Sequence, residues 1–89
     1  MQYEWDQGKR IANTFKHGVD FTLAEAFDWT TAIETYDNRF DYDEERWVAL
    51  GFIGACLYVL VYTYRFETIR IISLRKANKR EQKTYERQA

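Results

Sequence analysis

One histidine and a set of arginines are the residues of this 89-residue chain that could perform acid–base and phosphate chemistry. His17 titrates near neutral pH, so its imidazole could take or give a proton, and Lys16 could add charge beside it. Glu45 could act as a base, and Tyr85 could donate a proton or stack on a nucleobase. Four of the five arginines in the last third of the chain, whose planar forks suit a phosphate group, are candidates: Arg65, Arg70, Arg75 and Arg80. Metal-free cleavage of a phosphodiester needs this combination of a base, an acid and cations.

Each of these residues also has a structural interpretation that the sequence leaves open. His17 precedes a glycine at the end of a predicted helix, where a basic side chain interacts favourably with the helix dipole. Arg70 lies among isoleucines and could pair with a buried carboxylate such as that of Glu25. Tyr85 could anchor the last helix in the core, and Glu45 could form a surface ion pair with the arginine that follows it.

Charge is distributed unevenly along the chain, although the total is close to zero. Residues 65–89 carry eight Lys or Arg against three Glu, a net charge of +5. Residues 1–64 carry five basic against eleven acidic residues, a net charge of −6. The basic end predicts an anionic partner. Four of its cations are candidates for contacts to that partner, or for a merely solvated helix face: Arg75, Lys76, Lys79 and Lys83.

Length and composition predict one small domain over residues 1–89. The chain is 46% hydrophobic and 30% charged, which are the proportions of a globular protein. The single cysteine, Cys56, excludes an intramolecular disulfide framework and fits a reducing compartment. One histidine, no ligand cluster at metal-binding spacing and no glycine-rich phosphate loop predict neither a metal nor another cofactor. No signal-peptide pattern opens the sequence, so we expect a cytoplasmic protein with no membrane partner.

The uncharged segment Trp47–Tyr64 has two interpretations. Its 18 residues reach the lower length limit of a transmembrane helix, which would make the chain a small membrane protein. Its glycines, tyrosines and β-branched residues instead favour two strands, Trp47–Ile53 and Leu57–Tyr64, with a turn at Gly54 and Ala55. In the second strand aliphatic and tyrosine-rich faces alternate, with Tyr58, Tyr62 and Tyr64 on one side. We therefore predict a β-hairpin.

The other elements complete an α+β architecture. Asp6 is a good N-cap for a helix that runs to Lys16 and buries an apolar stripe of Ile11, Ala12 and Phe15. Asp20 caps a second, short helix over residues 21–28. Asn78 and Glu81 form a capping-box pattern that starts a basic helix at about Lys79. The remaining segments are strands Gln2–Trp5, Thr31–Tyr36 and Thr68–Leu74, and an acidic loop Asp37–Glu45. We expect two N-terminal helices packed on a twisted antiparallel sheet, with a C-terminal helix.

A series of short motifs runs along nearly the whole chain in a set order and spacing. They are Tyr3-Glu4-Trp5-Asp6, Asn13, Lys16-His17-Gly18-Val19, Phe21, Glu25-Ala26, Glu45-Arg46, Val61-Tyr62-Thr63, Ile69-Arg70-Ile71-Ile72-Ser73, Arg75-Lys76-Ala77, Arg80-Glu81 and Tyr85. No single motif is specific, but the ordered set resembles the BrnT family of ribonuclease toxins. The resemblance implies a RelE-like fold and a metal-independent endoribonuclease that arrests translation.

The same resemblance implies partners and a site. It implies neutralisation by a BrnA-type ribbon-helix-helix antitoxin, which would bind operator DNA itself and hold two toxins per antitoxin dimer. It places seven residues around one cleft, the last at its border: Lys16, His17, Glu45, Arg65, Arg70, Arg80 and Tyr85. The cations Arg75, Lys76, Lys79 and Lys83 would then bind RNA. The alternative function belongs to a different class: a non-catalytic protein-binding module, or a toxin that acts on a protein such as gyrase.

Overall fold

A five-stranded mixed sheet forms the centre of the molecule, and helices lie on both of its faces. The computed structural model describes residues 2–38 and 44–89. Its elements, in chain order, are β1 (Gln2–Trp5), α1 (Gln7–His17), a 3₁₀ helix (Phe21–Ala26), β2 (Phe27–Asp37), β3 (Arg46–Ile53), β4 (Cys56–Arg65), β5 (Thr68–Lys76) and α2 (Lys79–Gln88). The strand order in the sheet is β1-β5-β4-β3-β2. The predicted acidic loop lies mostly at 39–43, outside the described residues.

The uncharged segment forms the predicted hairpin of β3 and β4. The two strands pair antiparallel from Trp47 opposite Tyr62 to Ile53 opposite Cys56. Gly54 lies in the turn with a φ of 59°, and tight β-hairpin turns require such a positive φ. No helix among the described residues is long and apolar enough to cross a membrane.

Two parts of the predicted architecture are wrong. The sheet is mixed, because β1 runs parallel to β5 and covers its edge from Thr68 to Ile71. The predicted second α-helix is a 3₁₀ helix that ends at Ala26. Asp20 caps it as expected, but Phe27 already pairs with Ile53 of β3. Pairing with β3 therefore stabilises this aromatic and β-branched segment as a strand more than the cap at Asp20 stabilises it as a helix.

The alternation in β4 divides the apolar residues between the two faces of the sheet. Tyr58, Leu60 and Tyr62 face the larger core under α1 and the 3₁₀ helix. Leu57 and Val59 face a smaller cluster that Tyr85 of α2 completes. We call these the α1 face and the α2 face. The predicted alternation is confirmed, with helices on both faces of the sheet.

The orientation of α1 is opposite to the predicted one, because its apolar stripe faces solvent and not the sheet. Ile11 is 61% exposed and Phe15 is 94% exposed, whereas Asn13 is buried. The Asn13 amide donates to the Leu74 carbonyl (2.8 Å) and its oxygen accepts from the Leu74 amide (3.2 Å). It also donates to the carbonyl of Val19 at 2.9 Å. Because β1 ends at Trp5, the edge of β5 beyond Ile71 needs other partners for its backbone, and Asn13 provides them.

Candidate active site

Between α1 and the edge of β5 lies an open, basic cavity of about 360 Å³. Its lining comprises three cations, one histidine and small or apolar residues: Lys9, Lys16, Arg46, His17, Ala12, Asn13, Ile72 and Ser73. No carboxylate is among these lining residues. A cavity with cations, a histidine and a serine hydroxyl suits an anionic ligand such as a phosphate group.

His17 lines this cavity, and its imidazole is the lining group whose usual pKa is near neutral. It is half-buried as the last residue of α1, and Gly18 ends the helix in the left-handed region at a φ of 69°. Burial lowers the pKa of His17 below its usual 6.5, and the nearby charges of Lys16 and Arg75 lower it further. The imidazole is therefore mainly neutral at pH 7, and a neutral imidazole can accept a proton.

Two lysines of α1 also line this cavity. Lys9 and Lys16 are both exposed residues of α1, and no described carboxylate forms a salt bridge with either ammonium group. Arg46, the first residue of β3, reaches the same cavity across the sheet. Lys9 and Lys16 therefore bring positive charge to the cavity, and no carboxylate lines it among the residues that the structure describes.

Two predicted phosphate-binding arginines are engaged by carboxylates. Arg70 donates to Glu4 at 2.8 Å, so its partner is Glu4 on the neighbouring strand and not Glu25. Arg75 donates both terminal nitrogens to both oxygens of Glu81, each at 2.8 Å. Glu81 also accepts from the amide of Asn78, which completes the predicted capping box. The bond to Arg75 lowers the pKa of Glu81 below its usual range.

The structure brings Lys16 and His17 together but spreads the other predicted catalytic residues. Glu45 is exposed just before β3, and Arg80 is exposed in the first turn of α2. Arg65 pairs with Thr68, about 20 Å along β5 from Leu74. The Tyr85 hydroxyl donates to the carbonyl of Thr31 (2.6 Å), and its ring lies 5.5 Å from Phe52. Tyr85 thus anchors α2 to the sheet.

The predicted RNA-binding cations lie at the end of β5 and on α2. Lys76 is exposed and lines a second cavity that His17 also lines, so His17 stands between it and the basic cavity. Lys79 and Lys83 are exposed one turn apart on α2. Of this group, Lys76 and Arg75 lie nearest to His17.

Sequence reasoning missed Lys9 and Arg46. The spacing of Lys9 and Lys16, seven residues apart, places them on one side of a helix and could have linked them. No local signal could have found Arg46, because it reaches the cavity only through the order of β3, β4 and β5 in the sheet. Among the described residues, no group of three or more His, Cys, Asp or Glu is arranged to hold a metal ion.

The ion pair of Arg70 and Glu4 allows a direct test of the role of this arginine. The predicted phosphate contact of Arg70 would make Arg70→Ala lower RNA cleavage about 10-fold to 100-fold, because a charge-assisted hydrogen bond would be lost. Arg70→Lys should recover part of that rate. Glu4→Gln is the matched control, and it should leave cleavage unchanged or faster because it frees the guanidinium. Equal losses in Arg70→Ala and Glu4→Gln would assign the pair to the fold alone.

Comparison with protein families identifies the class to which this fold and cavity belong. Residues 5–81 match the model of a family described as the ribonuclease toxin, BrnT, of type II toxin–antitoxin systems. The chain therefore belongs to the BrnT family of ribonuclease toxins, and an antitoxin partner follows from that membership. No match was found among curated proteins.

Proposed function

We propose that this chain is a metal-independent endoribonuclease that cleaves RNA at the basic cavity and so arrests translation in the cytoplasm. The observation that supports this most is a cavity lined by a largely neutral imidazole, that of His17, and by two lysines without carboxylate partners among the described residues. An RNA phosphate would meet cations there, and a group able to take a proton would lie next to it.

The proposed reaction assigns a role to each side of the cavity. His17 takes the proton of the ribose 2′-hydroxyl, and the 2′-oxygen attacks the adjacent phosphorus. The bond to the 5′-oxygen breaks, an ammonium group of Lys16 or Lys9 donates a proton to that oxygen, and a 2′,3′-cyclic phosphate remains. The same cations and Arg46 stabilise the negative charge of the phosphorane. Among the described residues, no lining carboxylate repels the RNA or offers the oxygen ligands that Mg²⁺ prefers.

The remaining cations extend the proposed RNA path beyond the cleavage point. Lys76 continues it on the far side of His17, and Lys79 and Lys83 continue it along α2. Arg65, Arg70 and Arg80 would contact more distant phosphates. Such binding should weaken steeply with salt, because each phosphate contact releases counterions.

The proposed partner is a BrnA-type antitoxin with a ribbon-helix-helix domain. That domain would bind operator DNA, and the toxin would contact DNA only through it. A two-fold symmetric antitoxin dimer offers two equivalent toxin-binding surfaces, so we propose a 2:2 heterotetramer. The net charge of +5 on residues 65–89 would speed encounter with an acidic antitoxin segment.

Incubation of the purified protein with RNA in EDTA tests the function. We expect cleavage at an unchanged rate after chelation and products with cyclic phosphate ends. The rate should rise as the pH increases through the pKa of His17, with a midpoint below about 6.5, because the base must be unprotonated.

Lys16→Gln tests whether the midpoint of the pH dependence reports the pKa of His17. This change removes a positive charge that lowers the pKa of His17, so the midpoint should move to higher pH. Loss of cleavage in EDTA that magnesium restores would contradict the metal-independent mechanism. Absence of cleavage under every condition would favour the alternative of a protein target.

A further inference from the structure

The apolar residues of α1 face solvent beside the basic cavity. We call Ile11, Ala12 and Phe15 the α1 stripe. Phe15 is 94% exposed and Ile11 is 61% exposed, and these side chains lie one turn apart. Phe15 lies about 200° around the helix from the buried Asn13, so the stripe points away from the sheet. An amphipathic helix usually buries its apolar side, and this one buries its polar side instead.

Polar contacts hold α1 in this orientation. Asn13 bonds the backbone of Leu74 and Val19, as described above. On the same side, Arg10 donates to both carboxylate oxygens of Asp20, at 3.0 and 2.9 Å. The α1 stripe therefore takes no part in docking α1 to the sheet, and an exposed aromatic and aliphatic pair indicates an interaction surface.

The charges around the α1 stripe restrict what can bind there. α1 contains Lys9, Arg10, Lys16 and His17 and no acidic residue. Arg10 is paired with Asp20, but Lys9 and Lys16 have no salt bridge to a described carboxylate, and both line the basic cavity next to Ala12. An occupant with apolar residues and neighbouring carboxylates would complement both features.

Two other occupants fit less well. A second copy of the chain would bring the cations of one α1 against those of another, and like charges oppose such packing. A nucleobase could stack on Phe15 but not on the aliphatic side chain of Ile11. The pair at positions i and i+4 instead matches the spacing with which one helix packs against another.

We propose that the α1 stripe is the docking surface for an amphipathic helical segment of the antitoxin. The segment presents apolar residues to Ile11 and Phe15, and its carboxylates reach Lys9 and Lys16. Bound in this way it occupies Lys9 and Lys16 at the rim of the basic cavity and competes with RNA for these cations. This inference rests on the proposed neutralisation by an antitoxin and adds where and how that neutralisation occurs.

The test measures binding of the purified cognate antitoxin by isothermal titration calorimetry, and RNA cleavage with and without it. Phe15→Ser should weaken antitoxin binding about 30-fold or more, because a central aromatic contact of an interface is lost. Without antitoxin, cleavage should stay at the parent rate and the protein should melt at or above the parent temperature. Phe66→Ser, which alters another fully exposed phenylalanine in the β4–β5 turn, is the matched control and should bind like the parent.

Several outcomes would overturn the inference. Parent-like antitoxin binding by Phe15→Ser would place the interface elsewhere. Slower RNA cleavage with unchanged antitoxin binding would make the α1 stripe an RNA contact. A dimer of the isolated chain that dissociates on Phe15→Ser, seen by light scattering, would make it a contact between copies. If the parent cuts no RNA, the proposed nuclease function fails, but the binding comparison still decides this inference.

Discussion

His17→Ala is expected to slow RNA cleavage about 10²-fold to 10⁴-fold, the loss that removal of a general acid or base produces. The physical reason is that no other described residue lining the basic cavity combines a largely neutral side chain at pH 7 with a nitrogen able to accept a proton. The measurement is single-turnover cleavage of a labelled RNA at saturating protein, which separates the chemical step from binding.

Two controls separate catalysis by His17 from a structural role at the helix end. Thermal unfolding should occur at nearly the parent temperature, because none of the described residues forms a hydrogen bond to the imidazole and the side chain is only half-buried. Added imidazole should restore part of the cleavage in His17→Ala if the ring acts as a base. Cleavage by His17→Ala at the parent rate would move the catalytic site away from the basic cavity.

Asn13→Ala is expected to lower the free energy of unfolding by about 2–4 kcal/mol, the largest stability effect that we predict. The change removes three hydrogen bonds and leaves the buried amide and carbonyl of Leu74 without their Asn13 partner, whereas the Val19 carbonyl keeps a long contact of 3.4 Å from the Thr14 hydroxyl. Each such group costs about 1–3 kcal/mol. Urea unfolding should show a lower midpoint with an unchanged slope.

The matched control for Asn13→Ala is Thr14→Ala. Its exposed hydroxyl donates to the carbonyl of Arg10 at 3.0 Å and lies 3.4 Å from that of Val19, which also accepts from Asn13, so its loss should cost less than about 0.5 kcal/mol. Because Asn13 positions α1 against β5, Asn13→Ala should also slow RNA cleavage at temperatures where the variant remains folded. Equal midpoints for the two variants would show that α1 is held by other contacts.

The sequence predicted correctly those elements that are stabilised by residues close together in the chain, such as helix caps and hairpin turns. Asp6, Asp20 and Asn78 each accept a hydrogen bond from a backbone amide at the start of a helix, as their residue types predicted. The hairpin was predicted from the alternation of side chains along β4 and from the glycine at position 54. The ordered motifs also sufficed to identify the family, because a family pattern is itself a property of the sequence.

Tertiary contacts decided which side of each element is buried and which residues meet. The pattern of α1 predicted a buried Ile11 and Phe15, but the free edge of β5 binds Asn13 instead, through contacts 61 residues apart in the chain. The segment after Ala26 became a strand because β3 was available to pair with it. Sequence spacing contains no information about such distant partners.

In the candidate site too, the sequence determined some features and the tertiary structure decided the others. The sequence by itself determined that His17 and Lys16 stand together at the end of a helix, since neighbouring residues cannot separate. It could not determine that Glu4 engages Arg70, that Glu81 engages Arg75, or that Arg46 joins the cavity. Those outcomes depend on strand order and register, which place residues from distant parts of the chain within reach of one another.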